Sequence, residues 1–545
     1  MRFPLLLSTA LLTIACAVPA AAQTVLDRTD PTRVEERTPD TLAEQRDSAV
    51  PVTRQSAAPV PVATGFAVGA VAIDGLEVLS QAAFTDVVEP YLGRVLDPDG
   101  LAELADRLAA RARQTFPLAS AAIEPQEVRA GVLRVRVDEG RVDEVRLEGA
   151  DNGAVLRSLE VLATGRPVAA RQLERALLVA GDVDGIRLGE ARILREAERN
   201  ILVVEVREQP FRLWLALDND STKPLGPLEL LGAARWSGVF GDADSLEVFG
   251  LVAAPQVEEI MFGRVRYARR ISRAGTEMAV AGSLSRTRPG AYLSGLDIVG
   301  TSSLATVSLL HPVIRSRGSS LWLEGTFSLR EVEQDRRDNL VRRDRLTTAE
   351  LGWYGNARLA GGTIRVSGGV TRGLDMLGAT RAGDALASRD DADGTFTALA
   401  LFADWTRPIS GPFGMRLAVR SQFAGEPLLV VEEIGLGGAA FVRGYDYRER
   451  SGDQGAMAYG ELHYAFKSIA GLNALEVYSF ADGGEVTNLA GGFGGGTLFS
   501  TGAGMRLDMD RRTDAGLEVA VPLSGERYDT GDATPRVRFS VTRHF

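Results

Sequence analysis

The chain has 545 residues, 45% of them hydrophobic and 24% charged, and its acids outnumber its bases by 11. That length exceeds one ordinary domain, and the acidic balance lacks the basic footprint that a sequence-independent nucleic-acid binder needs. Only Lys223 and Lys467 are lysines, and His311, His463 and His544 stand far apart in sequence. Lysine-based covalent chemistry and a histidine-rich metal site are therefore not expected, and no cofactor is called for. Glycine is abundant, 59 residues, and its excess falls mostly after residue 210 among short apolar-polar alternations.

The chain opens with Met1 and Arg2, an apolar run from Leu5 to Val18, and then Ala20-Ala21-Ala22-Gln23. Charged start, apolar middle and small residues for a peptidase cleft make a secretory signal over 1–22, with cleavage expected after Ala22. The only cysteine, Cys16, lies inside that segment. Thr13-Ile14-Ala15-Cys16 leaves a lipoprotein reading open, although Thr13 is a poor match for the leucine usual there. After cleavage at Ala22 the mature chain has no thiol or disulfide chemistry. The longest later uncharged run, Gln55 to Ile73, contains Pro59, Pro61, Gly65 and Gly69 and reads as a linker entering a strand rather than a membrane helix.

Residues 23–64 are polar, then rich in proline and alanine, with a short helix expected over Thr41–Ser48 behind Asp40 as N-cap. From Phe66 the pattern becomes strand 66–73, helix 81–92, helix 99–116, strand 119–123 and strand 132–138. Leu101, Leu104, Leu108 and Ala112 line one face of the second helix. The order recurs with strand 142–148, helices 152–163 and 168–180, and strands 185–192 and 201–207. Two tandem βααββ units are thus predicted, over 66–139 and 140–208.

From residue 209 onward no convincing helix follows. Segments of about ten residues alternate instead, as transmembrane barrel strands do. Phe413, Met415, Leu417, Val419 and Phe423 share one face against Arg416, Arg420 and Gln422; Leu321, Leu323, Phe327 and Leu329 oppose Glu324, Thr326, Ser328 and Arg330; Leu517, Val519, Val521 and Leu523 oppose Glu518. Sixteen such segments occupy 209–545, near 211–218, 228–236, 245–253, 261–271, 275–285, 301–312, 319–330, 346–355, 362–372, 395–407, 413–424, 455–466, 474–482, 497–509, 513–523 and 535–545. Connections at 331–345, 373–394 and 425–454 are long, whereas 313–318, 408–412 and 510–512 are short. Apolar outside, polar inside and alternating connection lengths predict a 16-stranded antiparallel transmembrane β-barrel, its N-terminus on the periplasmic side. In the last segment Val537, Phe539, Val541 and Phe545 face lipid, with Arg543 at the periplasmic rim. A terminal Phe545 resembles the signal read by barrel-insertion machinery.

The remaining candidates for chemistry are few. No G-x-S-x-G elbow occurs. His463 is read as a structural residue of the lumen or wall, and the run Arg336-Arg337-Asp338 with Arg342-Arg343-Asp344-Arg345 as a solvated outer loop. Gly491 to Gly496 is no phosphate loop, because no strand-to-helix step follows it.

Two βααββ units before a sixteen-stranded barrel resemble the POTRA domains and pore of TpsB transporters, the haemolysin secretion/activation proteins of two-partner secretion. Ala122-Ile123-Glu124-Pro125-Gln126, Gly131-Val132-Leu133 and Asp138-Glu139-Gly140-Arg141-Val142 match that family's pattern. So do Val442-Arg443-Gly444-Tyr445 in the sixth outer connection and Phe480-Ala481-Asp482-Gly483-Gly484 at the end of strand thirteen. The resemblance implies a non-enzymatic pore in the outer membrane of a Gram-negative type of cell, with POTRA domains in the periplasm. Its partners would be an unfolded TpsA-like exoprotein, outer-membrane lipid and, during biogenesis, the insertion machinery. It also implies an inward-folded sixth loop over 425–454 and an N-terminal plug helix and linker over 23–64. Strand parity independently turns Glu476, Tyr478, Phe480 and Asp482 into the lumen and Leu475, Val477 and Ala481 outward. Arg443 is then expected to pair bidentately with Asp482 in a wet lumen, while Gly444 and Gly484 allow close approach. A barrel-assembly factor of the same superfamily and a general porin are the alternatives. The first typically carries more POTRA units, and the second needs none.

Overall fold

The computed structural model describes residues 25–32, 52–54, 67–196, 199–467, 469 and 471–545. The expected signal over 1–22 and the expected helix over 41–48 lie outside the described residues.

The first α/β unit packs a three-stranded sheet, in the order Ala70–Asp74, Val132–Asp138, Ser120–Ala122, against helical segments. Helix Pro98–Arg113 starts where Asp97 caps it, its carboxylate accepting the Gly100 N–H at 2.8 Å, with Pro98 at the first helical position. Leu101, Leu104, Leu108 and Ala112 are buried against Leu133, Val135 and Val137, the inward residues of the central strand. The expected helix over 81–92 is present as three short turns, Gln81–Phe84, Thr85–Val88 and Glu89–Tyr91. Pro90 within the last turn removes a donor and limits its continuation. In the second unit Asn152 caps helix Gly153–Leu159 by accepting the Ala154 and Val155 N–H groups. Helix Ala170–Gly181 lies beside it over strands Glu144–Gly149, Ile186–Glu196 and Arg199–Glu208. A fourth strand joins that sheet from outside the unit: Val52–Arg54 pairs in parallel with Ala191 to Ile193 of the edge strand.

The barrel is closed. Its sixteen strands, from Phe211–Asp218 to Arg536–His544, pair antiparallel in chain order. The last returns to the first with Ser540 opposite Asp218 and His544 opposite Trp214. Closure leaves no edge, which is the condition for strands in hydrocarbon. Leu323, Phe327, Leu329, Leu417, Val419, Phe423, Val519, Val537 and Val541 are exposed on the outer wall, far more apolar surface than a water-facing protein carries and the face that lipid covers. Phe211 packs tilted against Trp236, and Phe413 edge-to-face against Tyr464, near the end that carries the α/β units. Such rings form the aromatic girdle of a membrane interface.

Two expectations about connections need correction. Residues 331–345 are not a loop: strands Ser319–Arg336 and Asn339–Leu359 run on as a tall hairpin that turns at Arg337 and Asp338. Across it Arg343 pairs with Glu333 and Arg345 with Glu331, each at 2.6 Å. The charge run therefore alternates, because the strand period carries Arg342 and Asp344 inward, where both are buried. Strand thirteen likewise runs from Ala474 to Thr487, so Asp482 sits within the strand rather than at its end.

The second unit docks on the barrel's near rim. Arg315 donates from Nε and Nη2 to the two oxygens of Asp182, both at 2.8 Å, and both side chains are buried. Arg175 reaches the Pro312 carbonyl at 2.7 Å, Glu174 accepts the Arg317 N–H at 2.8 Å, and Ser245 donates to Asp184 at 2.6 Å. Breaking a buried bidentate pair by truncation costs about 3–5 kcal/mol. Asp182→Ala should accordingly loosen the second unit while the barrel stays closed. Limited proteolysis should cut between 140 and 208 at least tenfold faster, with the heat-modifiable barrel band on gels unchanged.

Candidate functional site

The connection from 425 to 453 enters the lumen, and its inner part is a small core of its own. Leu436, Phe441, Val442 and Tyr445 are buried against Met457, Val486 and Leu498 of strands twelve, thirteen and fourteen. Val442 takes a positive φ of 54°, which turns the chain and leaves Arg443 facing the wall. Arg443 is buried. Its backbone N–H and its Nε both donate to Asp482 Oδ2, at 3.0 and 3.2 Å. Its Nη1 donates to Glu518 at 3.0 Å and lies 3.4 Å from Glu461. The guanidinium lies over two rings, 3.6 Å from the Phe480 centroid and 4.9 Å from that of Tyr459.

The expected bidentate pair in a wet lumen is thus replaced by something tighter. One oxygen of Asp482 serves main chain and side chain of Arg443, and the other accepts the Ser500 hydroxyl. Asp482 and Glu461 are as buried as the arginine, so the group answers to the energetics of desolvated charge rather than those of exposed pairs. Gly444 lies against strand fourteen, donating to Ser500 Oγ at 2.9 Å, and a Cβ there would stand 2.7 Å from the Ser500 Cβ and 2.8 Å from the Pro522 nitrogen. At Gly484 a Cβ would stand 2.6 Å from that of Met457 and 2.7 Å from Leu436 of the connection. Both glycines are where backbone and loop approach closely. Tyr445, fully buried, accepts the Ser524 N–H at 2.8 Å and offers its carbonyl to Arg536. Phe545 remains at the rim, with Arg543 over its ring at 5.6 Å.

Sequence reading missed Glu461, Glu518, Ser500 and Tyr459. Parity turns them inward, and Glu518 stands alone on the polar face of its segment, but only the barrel register brings strands twelve to fifteen to one point. The network continues: Arg506 bridges Glu461 at 2.7 Å and Glu476, Arg538 lies 3.4 Å from Glu518, and Tyr478 donates to Glu518 at 2.9 Å. Beneath it, toward the periplasmic end, lies a cavity of about 530 Å³ lined in part by Glu476, Arg506, Glu518 and Arg538. His463 belongs to the wall, 4.0 Å from Glu476.

A second segment shares the lumen. Val25–Arg28 forms one helical turn whose Leu26 and Asp27 meet strands seven and eight, and the residues after it meet strand five. Arg342 donates to Asp27 and Gln334 to the Leu26 carbonyl, each at 2.8 Å. Ser285 donates to the Pro31 carbonyl at 2.7 Å and Thr287 to that of Thr29 at 3.1 Å.

A closed barrel with α/β units at one rim and its own chain folded into the lumen defines an outer-membrane protein-translocating pore. The family model described as haemolysin secretion/activation protein ShlB/FhaC/HecB matches residues 198–507, and that of the ShlB-type POTRA domain matches residues 66–140. The chain belongs to this family of outer-membrane transporters, which translocate exoproteins and hold their POTRA domains in the periplasm. It is 24% identical over 459 residues to the outer membrane transporter CdiB of Escherichia coli O6:K15:H31, covering 81% of this chain and 76% of that one. It is 23% identical over 405 residues to the heme/hemopexin transporter protein HuxB of Haemophilus influenzae, covering 71% and 70%. Among solved structures, CdiB from Escherichia coli superposes with a TM-score of 0.68 at 21% identity, covering 96% of this chain and 100% of that one. BamA from Haemophilus ducreyi lacking POTRA domains 1–3 gives 0.54 at 12% identity, covering 87% and 100%. These two likenesses are of fold.

Glu449, in the inward connection, accepts the Tyr528 N–H of the last outer connection at 2.8 Å. Burial, and then the neighbouring Asp446 carboxylate, push Glu449 up to about 7, from a usual value of 4.5. Because the folded value is the raised one, the protonated form favours the packed loop. That contribution is complete below pH 4.5 and is lost as pH rises through 7. Burial raises Glu433 of the same connection to about 7 as well, so raising pH from 5.5 to 8.5 should increase protease cutting within 425–453, and Glu449→Gln should lessen the response while Glu433 sustains the rest.

Proposed function

We propose that this chain captures a TpsA-like exoprotein, unfolded, at its two periplasmic units and threads it through the barrel to the cell surface without catalysing a reaction. In this reading 66–139 and 140–208 are both POTRA domains, 23–64 is plug and linker, and the connection over 425–454 is a gate. Arg443 and Asp482 are the lock that holds that gate inward.

The observation that carries the reading is the buried Arg443 at the tip of an outer connection, held by carboxylates of three different strands. A static channel has no use for so costly an arrangement, whereas a gate needs one position that is well defined and reversible. The sheet edges support the capture step: Ile186–Glu196 already accepts Val52–Arg54 as an added strand. Backbone pairing of that kind gives affinity with little demand on sequence. The polar lumen then offers an extended chain hydrogen-bonding partners, and folding of the exoprotein outside supplies the direction.

The decisive measurement is secreted partner per inserted barrel in a mutant cycle. Arg443→Ala leaves carboxylates buried without their cation and should weaken the loop's inward position by about 3–5 kcal/mol, cutting secretion at least tenfold with normal barrel insertion. Asp482→Ala should do the same, and the double variant should be little worse than either. Strictly multiplicative losses would show that the two residues act separately.

Deletion of 66–207 provides the test of capture. The shortened chain should still give a heat-modifiable barrel, because the pairing from Phe211 to His544 needs nothing upstream. It should bind and secrete no partner, and wild-type secretion by it would remove the units from the capture step.

A further inference from the structure

Arg443 holds only the tip of the inward connection. The stems of that connection are held elsewhere, by a residue of the outer connection over 374–396. Arg389 is buried there, and all five of its N–H donors are used. Nη1 donates to Glu433 at 3.0 Å and to Asp453 at 2.6 Å, which are the two stems of the inward connection. Nε and Nη2 donate to Asp391 at 3.0 and 2.9 Å, and Nη2 also reaches the Leu489 carbonyl, in the next outer connection, at 3.0 Å. Asp453 also accepts the Leu428 N–H at 2.8 Å and the Leu489 N–H at 2.6 Å, so both of its oxygens are engaged. Three outer connections thus meet on one guanidinium at the mouth.

The neighbouring residue extends the junction to the N-terminal segment. Ser388 Oγ accepts the Val430 N–H at 3.0 Å, and its carbonyl lies 3.5 Å from Arg342 Nη2, the same nitrogen that donates to Asp27. The connection over 374–396 is thus tied to both stems of the inward connection, through Arg389 and through Ser388.

We propose that Arg389 is a second positioning residue for translocation: it latches the stems of the inward connection at the outer mouth, and the exit opens only when this latch parts. The inference rests on the gate reading above but concerns a different contact. Its acceptors are carboxylates and a carbonyl presented at fixed angles, so the planar fork of arginine is required and a lysine would satisfy only part of them.

The experiment uses the full-length chain with Cys16 as its only native cysteine. Ser388→Cys and Val430→Cys would be joined by oxidation or by a short thiol cross-linker. Secretion by the joined form should fall at least tenfold against the open form in the same cells, while Ser388→Cys alone should respond to neither reagent. In planar bilayers Arg389→Ala should raise the frequency of large openings about tenfold, and Arg389→Lys should restore little of the closed state. Unchanged secretion on cross-linking, or wild-type opening in Arg389→Ala, overturns the latch. Arg443→Ala run beside them separates the two readings: if it gates and Arg389→Ala does not, the latch alone is wrong, and if neither changes openings, the gate reading falls with it.

Discussion

A strand in hydrocarbon must give both its edges to neighbours, so the wall of this protein closes strand sixteen on strand one. That requirement fixes the rest. Sixteen strands enclose more space than wall side chains alone can fill, and an unfilled lumen would be a permanent leak. The chain answers by placing two of its own segments inside, the connection over 425–453 and the residues around Val25–Arg28. Wall and contents are held together by charge and hydrogen bonds as well as by the small apolar core around Tyr445, and such polar contacts can be exchanged for others.

The polar contents are organised around arginines. Arg443 of the inward connection, with Arg506 and Arg538 of strands fourteen and sixteen, pairs with Glu461, Glu476, Asp482 and Glu518 of strands twelve, thirteen and fifteen. Each is costly to desolvate even when paired, and costlier still when its partner is removed. A network of this sort has one well-defined packed arrangement and a steep penalty for half-broken states. In the gate proposed above, movement of the loop would therefore be closer to a switch than to a gradual yielding. The aromatic faces of Phe480 and Tyr459 add to this by giving the guanidinium a slot of fixed orientation.

Much of the fold was legible because both kinds of element have strong periods. The two-residue alternation in segments such as Phe413–Ala424 and the leucine stripe of Pro98–Arg113 need no tertiary information to read. The Arg443 and Asp482 pair was legible from two short motifs plus parity. What escaped depended on register. Glu461 and Glu518 reach Arg443 from strands on either side of the one carrying Asp482, and nothing local distinguishes them from other inward acids. The tall hairpin escaped because its charge run looks like a solvated loop until cross-strand partners Glu331 and Glu333 are set opposite Arg345 and Arg343. The short pairing of Val52–Arg54 escaped because three residues carry no period at all.

The residues around Asp27 sit at the beginning of the chain, yet Arg342, Gln334 and Ser285, which hold them, lie some three hundred positions later. Loop closure over such a distance is slow and is rewarded only after the wall exists. A segment so early in the chain is consequently among the last parts to be seated. Between sealing of the wall and arrival of that segment, Arg342, Gln334 and Ser285 stand without the contacts it brings them. If that segment is the plug proposed above, each new copy would leak for a time set by assembly kinetics rather than by the finished structure.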